Sequence, residues 1–355
     1  PIGTREATFE SVSHAVEDLS LPDQTGTLKA LAEQVGKLEQ DERVPAVERI
    51  IAQAEQLSGE QKARVLIALA RQCDKLPKHA WAVIQCLRPA SAALLPENRA
   101  ELVAELATRL PKLLRTDRLT AATSLIEMTN GLPGNLTSSV LTKIADNLST
   151  VPENERPEFF GRVVHKIVQL SSTERHAPAA ALEHRLKYLP PGERLAAFRT
   201  LVDPTIGLAT RQSLWELSLK IKVLPDVARG DAFDCLFDAT RLLPGEEADW
   251  PLHGLSSAIG CLFPDARPAA FNKVIGRVRQ LPDDRAGQLL GALIRQVDGL
   301  QETERLPALD RIVAHFERLP KSRHLEVDQA FRGAVATLPA DDRQAGYALL
   351  RRFSW

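Results

Sequence analysis

The sequence predicts an all-α protein, a right-handed α-solenoid of about nine and a half two-helix repeats of about 38 residues. Three observations carry that prediction. Aliphatic residues that close a segment recur almost every 19 residues. Proline follows many of them directly, at Pro77, Pro96, Pro133, Pro152, Pro190, Pro225, Pro244, Pro282, Pro320 and Pro339. An arginine stands five residues after every second closing residue, with one exception. Proline cannot continue a helix, so it marks a stop and restart. The stretches PENR, PDDR and PGER then place acidic and small polar residues in a first turn, where the helix dipole favours them.

The segments with the arginine are termed A helices and the intervening ones B helices. Repeat 1–38 carries Arg5 and Phe9 and closes its two helices at Leu19 and Leu38. Repeat 39–76 carries Arg43 and Ala46, closing at Leu57 and Leu76. Repeat 77–113 departs, with Trp81 at the arginine position and closing residues Leu95 and Leu113. Repeat 114–151 restores the pattern with Arg118 and Ala121, and closes at Leu132 and Val151. Repeat 152–189 has Arg156 and Phe160, closing at Leu170 and Leu189. Repeat 190–224 has Arg194, Ala197 and Phe198; its B segment, from Leu208 to Leu224, is shorter. Repeat 225–262 has Arg229, Ala232 and Phe233, closing at Leu243 and Leu262. Repeat 263–300 has Arg267, Ala270 and Phe271, closing at Leu281 and Leu300. Its B segment puts Leu289, Leu290, Leu293, Ile294 and Val297 on one helical face. Repeat 301–338 has Arg305 and Ala308, closing at Leu319 and Leu338. A half repeat, 339–355, ends the chain with Arg343, Gly346 and Tyr347. Residues 1–355 are thus expected to form one solenoid domain, and the pattern is cut at both ends as in a fragment of a longer array.

A two-helix unit of this length cannot bury its apolar faces alone and must stack on its neighbours. Only 5% of residues are aromatic, so the core must be mainly Leu, Ala, Val and Ile, with the recurring Phe as the large knob. The formal net charge is −1, which leaves no overall field for nucleic acid or anionic lipid. The cysteines, Cys73, Cys86, Cys235 and Cys261, form no C-x-x-C pair, so neither a zinc site nor a disulfide framework is expected. No apolar run reaches the length of a membrane span. No H-E-x-x-H, Walker, G-x-S-x-G or dinucleotide glycine motif occurs, and the histidines are dispersed; His176 and His184 read as surface or capping residues. No catalytic residue, metal site or cofactor is therefore expected. Asn135-Leu136-Thr137 fits a glycosylation sequon that reads as chance.

The 38-residue helix pair with a recurring arginine resembles the HEAT and armadillo class of helical repeats over the whole chain. The HEAT pattern also has an Asp in register with its Arg, which this chain lacks. The L-P-x-x-x-R grammar, rich in Leu, Ala, Arg and Pro, is similar to helical-repeat type III effectors of plant-pathogenic bacteria, which carry HEAT-like or SKWP-like arrays. That resemblance implies a virulence protein secreted into the host cell, where it docks a host protein; without it, a cytoplasmic scaffold is the expectation.

The ladder of Arg5, Arg43, Arg118, Arg156, Arg194, Arg229, Arg267, Arg305 and Arg343 opposes the dipole at the start of each A helix, so its recurrence needs a cause. The structural cause is bonding to carbonyls at the end of the preceding helix or to a carboxylate of the next repeat, which suits the five-donor fork. The alternative is a track for phosphate or acidic peptide. On the B helices a second basic set, Arg71, Arg109, Arg185, Lys220, Arg295 and Arg332, varies in register and reads either as a solvated face or as the partner-binding surface. Trp215 joins it as a candidate anchor, and Trp250 also falls outside the A pattern. The resulting expectation is a non-enzymatic protein-interaction scaffold. The alternatives are repeat-by-repeat RNA binding and the non-catalytic arm of a larger enzyme.

Overall fold

The structure is a computed structural model describing residues 3–320 and 325–353, with side chains described for 6–320 and 328–352. Among these residues every regular element is helical. The chain divides into two compact units, 1–190 and 191–355, at the Pro190-Pro191 pair on a repeat boundary. The sequence reading treated 1–355 as one domain.

In the first unit the A helices are α1 (Gly3–Ala15), α3 (Arg43–Ala54), α5 (Ala80–Ser91), α7 (Arg118–Met128) and α9 (Arg156–Val168). The B helices are α2 (Leu21–Gln34), α4 (Gly59–Gln72), α6 (Pro96–Arg109), α8 (Gly134–Ala145) and α10 (His176–Arg185). In the second unit the A helices are α11 (Pro191–Val202), α13 (Asp226–Thr240), α15 (Arg267–Gly276), α17 (Glu302–Phe316) and α19 (Ala340–Phe353). The B helices are α12 (Arg211–Lys220), α14 (Asp249–Ala258), α16 (Asp283–Ile294) and α18 (Leu325–Ala336). Like helices stack two places apart: α2–α4–α6–α8–α10 and α3–α5–α7–α9 in the first unit, α12–α14–α16–α18, α11–α13–α15 and α17–α19 in the second. Stacking of like on like is the packing of an α-solenoid, right-handed in sense.

Burial explains why the true period is two helices. The closing residues of the B helices, Leu38, Leu76, Leu113, Val151, Leu189, Leu224, Leu262, Leu300 and Leu338, are all buried. Those of the A helices are mixed: Leu19 is exposed and Leu132, Leu243 and Leu319 are half-buried. The B-helix ends are therefore the tightly packed edge of each unit. Phe159, Phe198, Phe233, Phe271 and Phe316 of the A helices are fully buried knobs, whereas Tyr347, on the last A helix, is 49% exposed.

The third repeat corrects two positions read from spacing. Its first helix closes at buried Leu94, while Leu95 is 60% exposed and caps the next helix. Its A helix buries Ala80, Val83, Ile84 and Leu87 where α3 presents Arg43, Ala46, Val47 and Ile50. Ala80, not Trp81, thus occupies the arginine position, because the linker is one residue shorter. The backbone shows the same change. Leu38, Leu113, Val151, Leu189, Leu224, Leu262 and Leu300 are extended, with ψ between 145° and 163°. Leu76 has ψ 45°.

Candidate functional site

The arginine ladder is built from backbone carbonyls. Each B helix but the last ends in a 3-10 turn, which leaves its final carbonyls without intrahelical donors. Arg156 Nε donates to Val151 O at 2.9 Å and its Nη2 to Ser149 O at 3.2 Å, both at the end of the preceding B helix. Its Nη1 reaches forward to Tyr188 O, at the end of the following B helix, at 2.6 Å. Arg118 repeats the pattern on Leu113, Pro111 and Thr150. Arg229 does so on Leu224, Lys222 and Cys261, Arg267 on Leu262, Gly260 and Gly299, and Arg305 on Leu300, Asp298 and Thr337. Arg194 Nη1 reaches Val223 O, and Arg343 Nε reaches Leu338 O. Three successive carbonyls such as Ser149, Thr150 and Val151 are thereby shared between two arginines of adjacent repeats. A cation at a helix C-terminus is on the favourable side of the dipole. The arginine that opposes its own helix thus serves two others. The side chain of Arg5 lies outside the described residues.

Where the third repeat lacks the arginine, Arg43 keeps its two backward bonds, to Leu38 O and Gly36 O, and makes no forward one. A side-chain network joins α4 to α6 at that break. Arg109 pairs with Asp74 and with Glu105, the latter at 2.5 Å, and Arg71 Nε lies 3.6 Å from Glu105. The hydrogen bonds that Arg109 donates to Glu105, and the nearby carboxylates, hold its pKa up despite partial burial. Two members of the second basic set are therefore committed to linking repeats. Arg185 pairs with Asp146 at 3.0 Å and Arg332 with Asp328 at 2.7 Å. Lys220 and Arg295 have no ion-pair partner among the described residues, and Arg295 is exposed.

Helices α12, α14 and α16 carry a further arrangement of side chains. Trp215 on α12 and Trp250 at the start of α14 are 6.4 Å apart between ring centroids, tilted by 57°. Arg211 lays its guanidinium over the Trp250 ring, 4.2 Å from the centroid, and its Nη2 pairs with Asp249 Oδ1 at 2.6 Å. Arg285 on α16 approaches the other oxygen of Asp249 at 3.4 Å. Asp249 is only 6% exposed, sits in the first turn of α14 where the dipole favours a carboxylate, and ties three successive B helices together. Gly254 lets α12 and α14 approach. A Cβ there would strike Ser218, with its own Cβ at 2.9 Å, and meet Trp215 Cδ1 at 3.2 Å.

The two indoles, His253 and Leu289 form the walls of a cleft of about 310 Å³, with Arg285 and Gln288 on its α16 side. Trp250 is 47% exposed. Burial, and then the positive charge of Arg295, hold the His253 pKa below the usual value, against a smaller opposing pull from Asp249. Spacing alone singled out Trp215, Lys220 and Arg295 but missed Arg211, Asp249 and Arg285. Aligning the B helices on their closing residues would have paired Arg211 with Asp249, one repeat of 38 residues apart.

His176 opens α10 and His184 lies near its end, and Thr137 of the sequon is buried. Among the described residues no group of three or more His, Cys, Asp or Glu is placed to hold a metal, and no helix is long and apolar enough to cross a membrane. No family model matches the chain, and no curated protein does. Among solved structures, an engineered protein determined as a Northeast Structural Genomics Consortium target is similar at 13% identity, with 98% of this chain and 99% of that one covered and a TM-score of 0.40. A circular tandem repeat protein with novel repeat topology and enhanced subunit contact surfaces is similar at 16% identity, with 97% and 85% covered and a TM-score of 0.24. Likenesses at these scores carry no weight for function.

Proposed function

We propose that this protein is a non-enzymatic scaffold that binds another protein through its B helices. The observation that carries the reading is the Trp215–Trp250 pair, with exposed indole surface on Trp250 and with Arg211 and Arg285 held beside it by Asp249. Partly exposed Trp and Arg at a preorganised cleft are the usual anchors of a protein interface. The ladder arginines spend their donors on backbone carbonyls, which favours a framework role for them over a ligand track. The resemblance to helical-repeat effectors supports a host protein as partner and delivery into the host cell by a type III system; the coarser scaffold reading stands without it.

Affinity capture from a plant lysate with the full chain tests the reading. A specific protein should be retained, and capture should fall when B-helix surface charges such as Arg295 or Arg64 are reversed. Capture that ignores every B-helix reversal and fails on A-helix surface changes such as Arg162→Glu would contradict it.

A further inference from the structure

We propose that the junction between the second and third repeats is a salt-responsive joint, at which the first unit opens locally while its stapled junctions stay closed, independently of what the array binds.

Backbone bonding marks the place. At the end of α8 the carbonyls of Ser149, Thr150 and Val151 all accept from ladder arginines. At the end of α4 the pattern fails. Leu76 O accepts from His79 N at 2.8 Å, Arg43 does not reach forward to Lys75 O, and among the described residues no side chain donates to Asp74 O or Lys75 O. At the end of α6, Arg118 takes Pro111 O and Leu113 O. Lys112 O between them has no side-chain donor among the described residues, since Ala80 stands where the forward-reaching arginine would be. Two consecutive B helices thus end with carbonyls that the stapled repeats satisfy. Leu76 departs with them, at ψ 45° where Leu113 has 160° and Val151 has 145°.

Two further observations weaken the same place. Pro89 lies inside α5, and its missing N–H removes a helix bond. Gln72 Oε1, Asp74 Oδ1 and His79 Nε2 are buried without a hydrogen-bond partner among the described residues. Each such group costs stability where it lies.

Side-chain charge holds the joint instead. Arg109 on α6 crosses to Asp74 and pairs with Glu105, and Arg71 on α4 lies 3.6 Å from Glu105. These groups reach water: the side chains of Arg71, Arg109 and Asp74 are 53%, 26% and 30% exposed. Salt acts differently on the two kinds of link. A staple joins a guanidinium to a neutral carbonyl in direct contact, which dissolved ions screen little. Attraction between solvent-facing charges fades as the screening length falls from about 10 Å at 0.1 M salt to about 3 Å at 1 M. The apolar faces of α4 and α6 stay stacked, so the opening is confined to the ends of these helices and the start of α5.

Native-state hydrogen exchange on the full chain, read by mass spectrometry at constant pH in low salt and in about 1 M NaCl, tests this. Protection relative to the unfolded chain is compared between residues 73–81 with 109–113, at the joint, and residues 149–156, at a stapled junction. At low salt the joint should be at least about tenfold less protected, the effect of its missing charge-assisted bonds. High salt should lower its protection at least about threefold further and leave the stapled junction within about twofold. Glu105→Gln removes the charge facing Arg71 and Arg109 at constant shape. It should open the joint at low salt and erase most of its salt response. Glu158→Gln, which breaks an exposed pair on α9, should change neither. Equal protection at the two junctions, a salt response shared by both, or a Glu105→Gln joint that answers salt like the parent each overturns the proposal. The comparison of two salt concentrations uses the unaltered chain, so it decides even if Glu105→Gln destabilises the whole unit.

Discussion

Replacing Arg156 by alanine removes a guanidinium that bonds Val151 O at 2.9 Å, Ser149 O at 3.2 Å and Tyr188 O at 2.6 Å. These acceptors are the ends of two consecutive B helices, and no other side chain among the described residues donates to them. Each such bond contributes about 1 kcal/mol net, with more for a charged donor and less where water can replace it. The expected loss is about 3 kcal/mol, which raises the opening equilibrium of the affected turns about 150-fold. Arg156→Lys keeps the charge but offers a single point donor, so it should recover about one of the three bonds and still lose about 2 kcal/mol. Arg162→Ala is the matched control. It sits on the same helix in an exposed pair with Glu158 at 2.5 Å, a kind of contact worth less than about 0.5 kcal/mol. Repeat arrays need not unfold in one step, so the assay is native-state hydrogen exchange over residues 149–156 and 186–189, with a urea transition by circular dichroism beside it. Equal effects of Arg156→Ala and Arg162→Ala, or a lysine variant as stable as the parent, would refute the carbonyl-staple account.

Gly254→Ala forces Ser218 and Trp215 to give way, so it should cost about 1–3 kcal/mol and alter the Trp215–Trp250 fluorescence, while Gly230→Ala, at an open helical site, should not. Burial pushes the Cys73 thiol up to about 12, and burial followed by Glu48 raises that of Cys86. In the native protein at neutral pH, Cys73 should therefore resist an alkylating reagent that labels it after denaturation, and Cys86 should react more slowly than a free thiol. His253 and His315 have pKa values lowered first by burial and then by neighbouring arginines, Arg295 for the former, Arg279 and Arg318 for the latter. The unfolded chain then binds more protons than the folded one below about pH 6.5. Stability should be fully present above that pH and fall as the pH drops through the lowered folded values, a slope that His253→Gln should reduce.

Most of the architecture was legible because it repeats. The arginine and the small residue of most A helices, with Phe9, Phe160, Phe198, Phe233 and Phe271 beside them, recur in one register, so counting them locates the helices. Repetition also set the limit. In the third repeat the counting continued through a one-residue deletion, and so it placed Trp81 and Leu95 where the packing uses Ala80 and Leu94. The carbonyl bonds of the ladder could only be proposed, since which acceptor a guanidinium finds depends on the 3-10 turn that ends each B helix. The Trp cleft was half visible. Trp215 stood out by type, but the bond from Arg211 to Asp249 crosses a repeat and shows only when B helices are aligned with each other. Arg71 and Arg109 looked like free surface charge because Glu105 and Asp74 face them only after α4 and α6 stack.

The account assigns framework to the A-helix arginines and recognition to the non-repeating B helices. The most direct test is hydroxyl-radical footprinting of the full chain with and without the partner retained in the lysate capture, read by mass spectrometry. The account predicts protection of Trp250 and Trp215, with modification of Tyr347 and of the α9 surface unchanged. Unchanged oxidation of Trp250, together with protection on α9 or at the ladder positions, would contradict it.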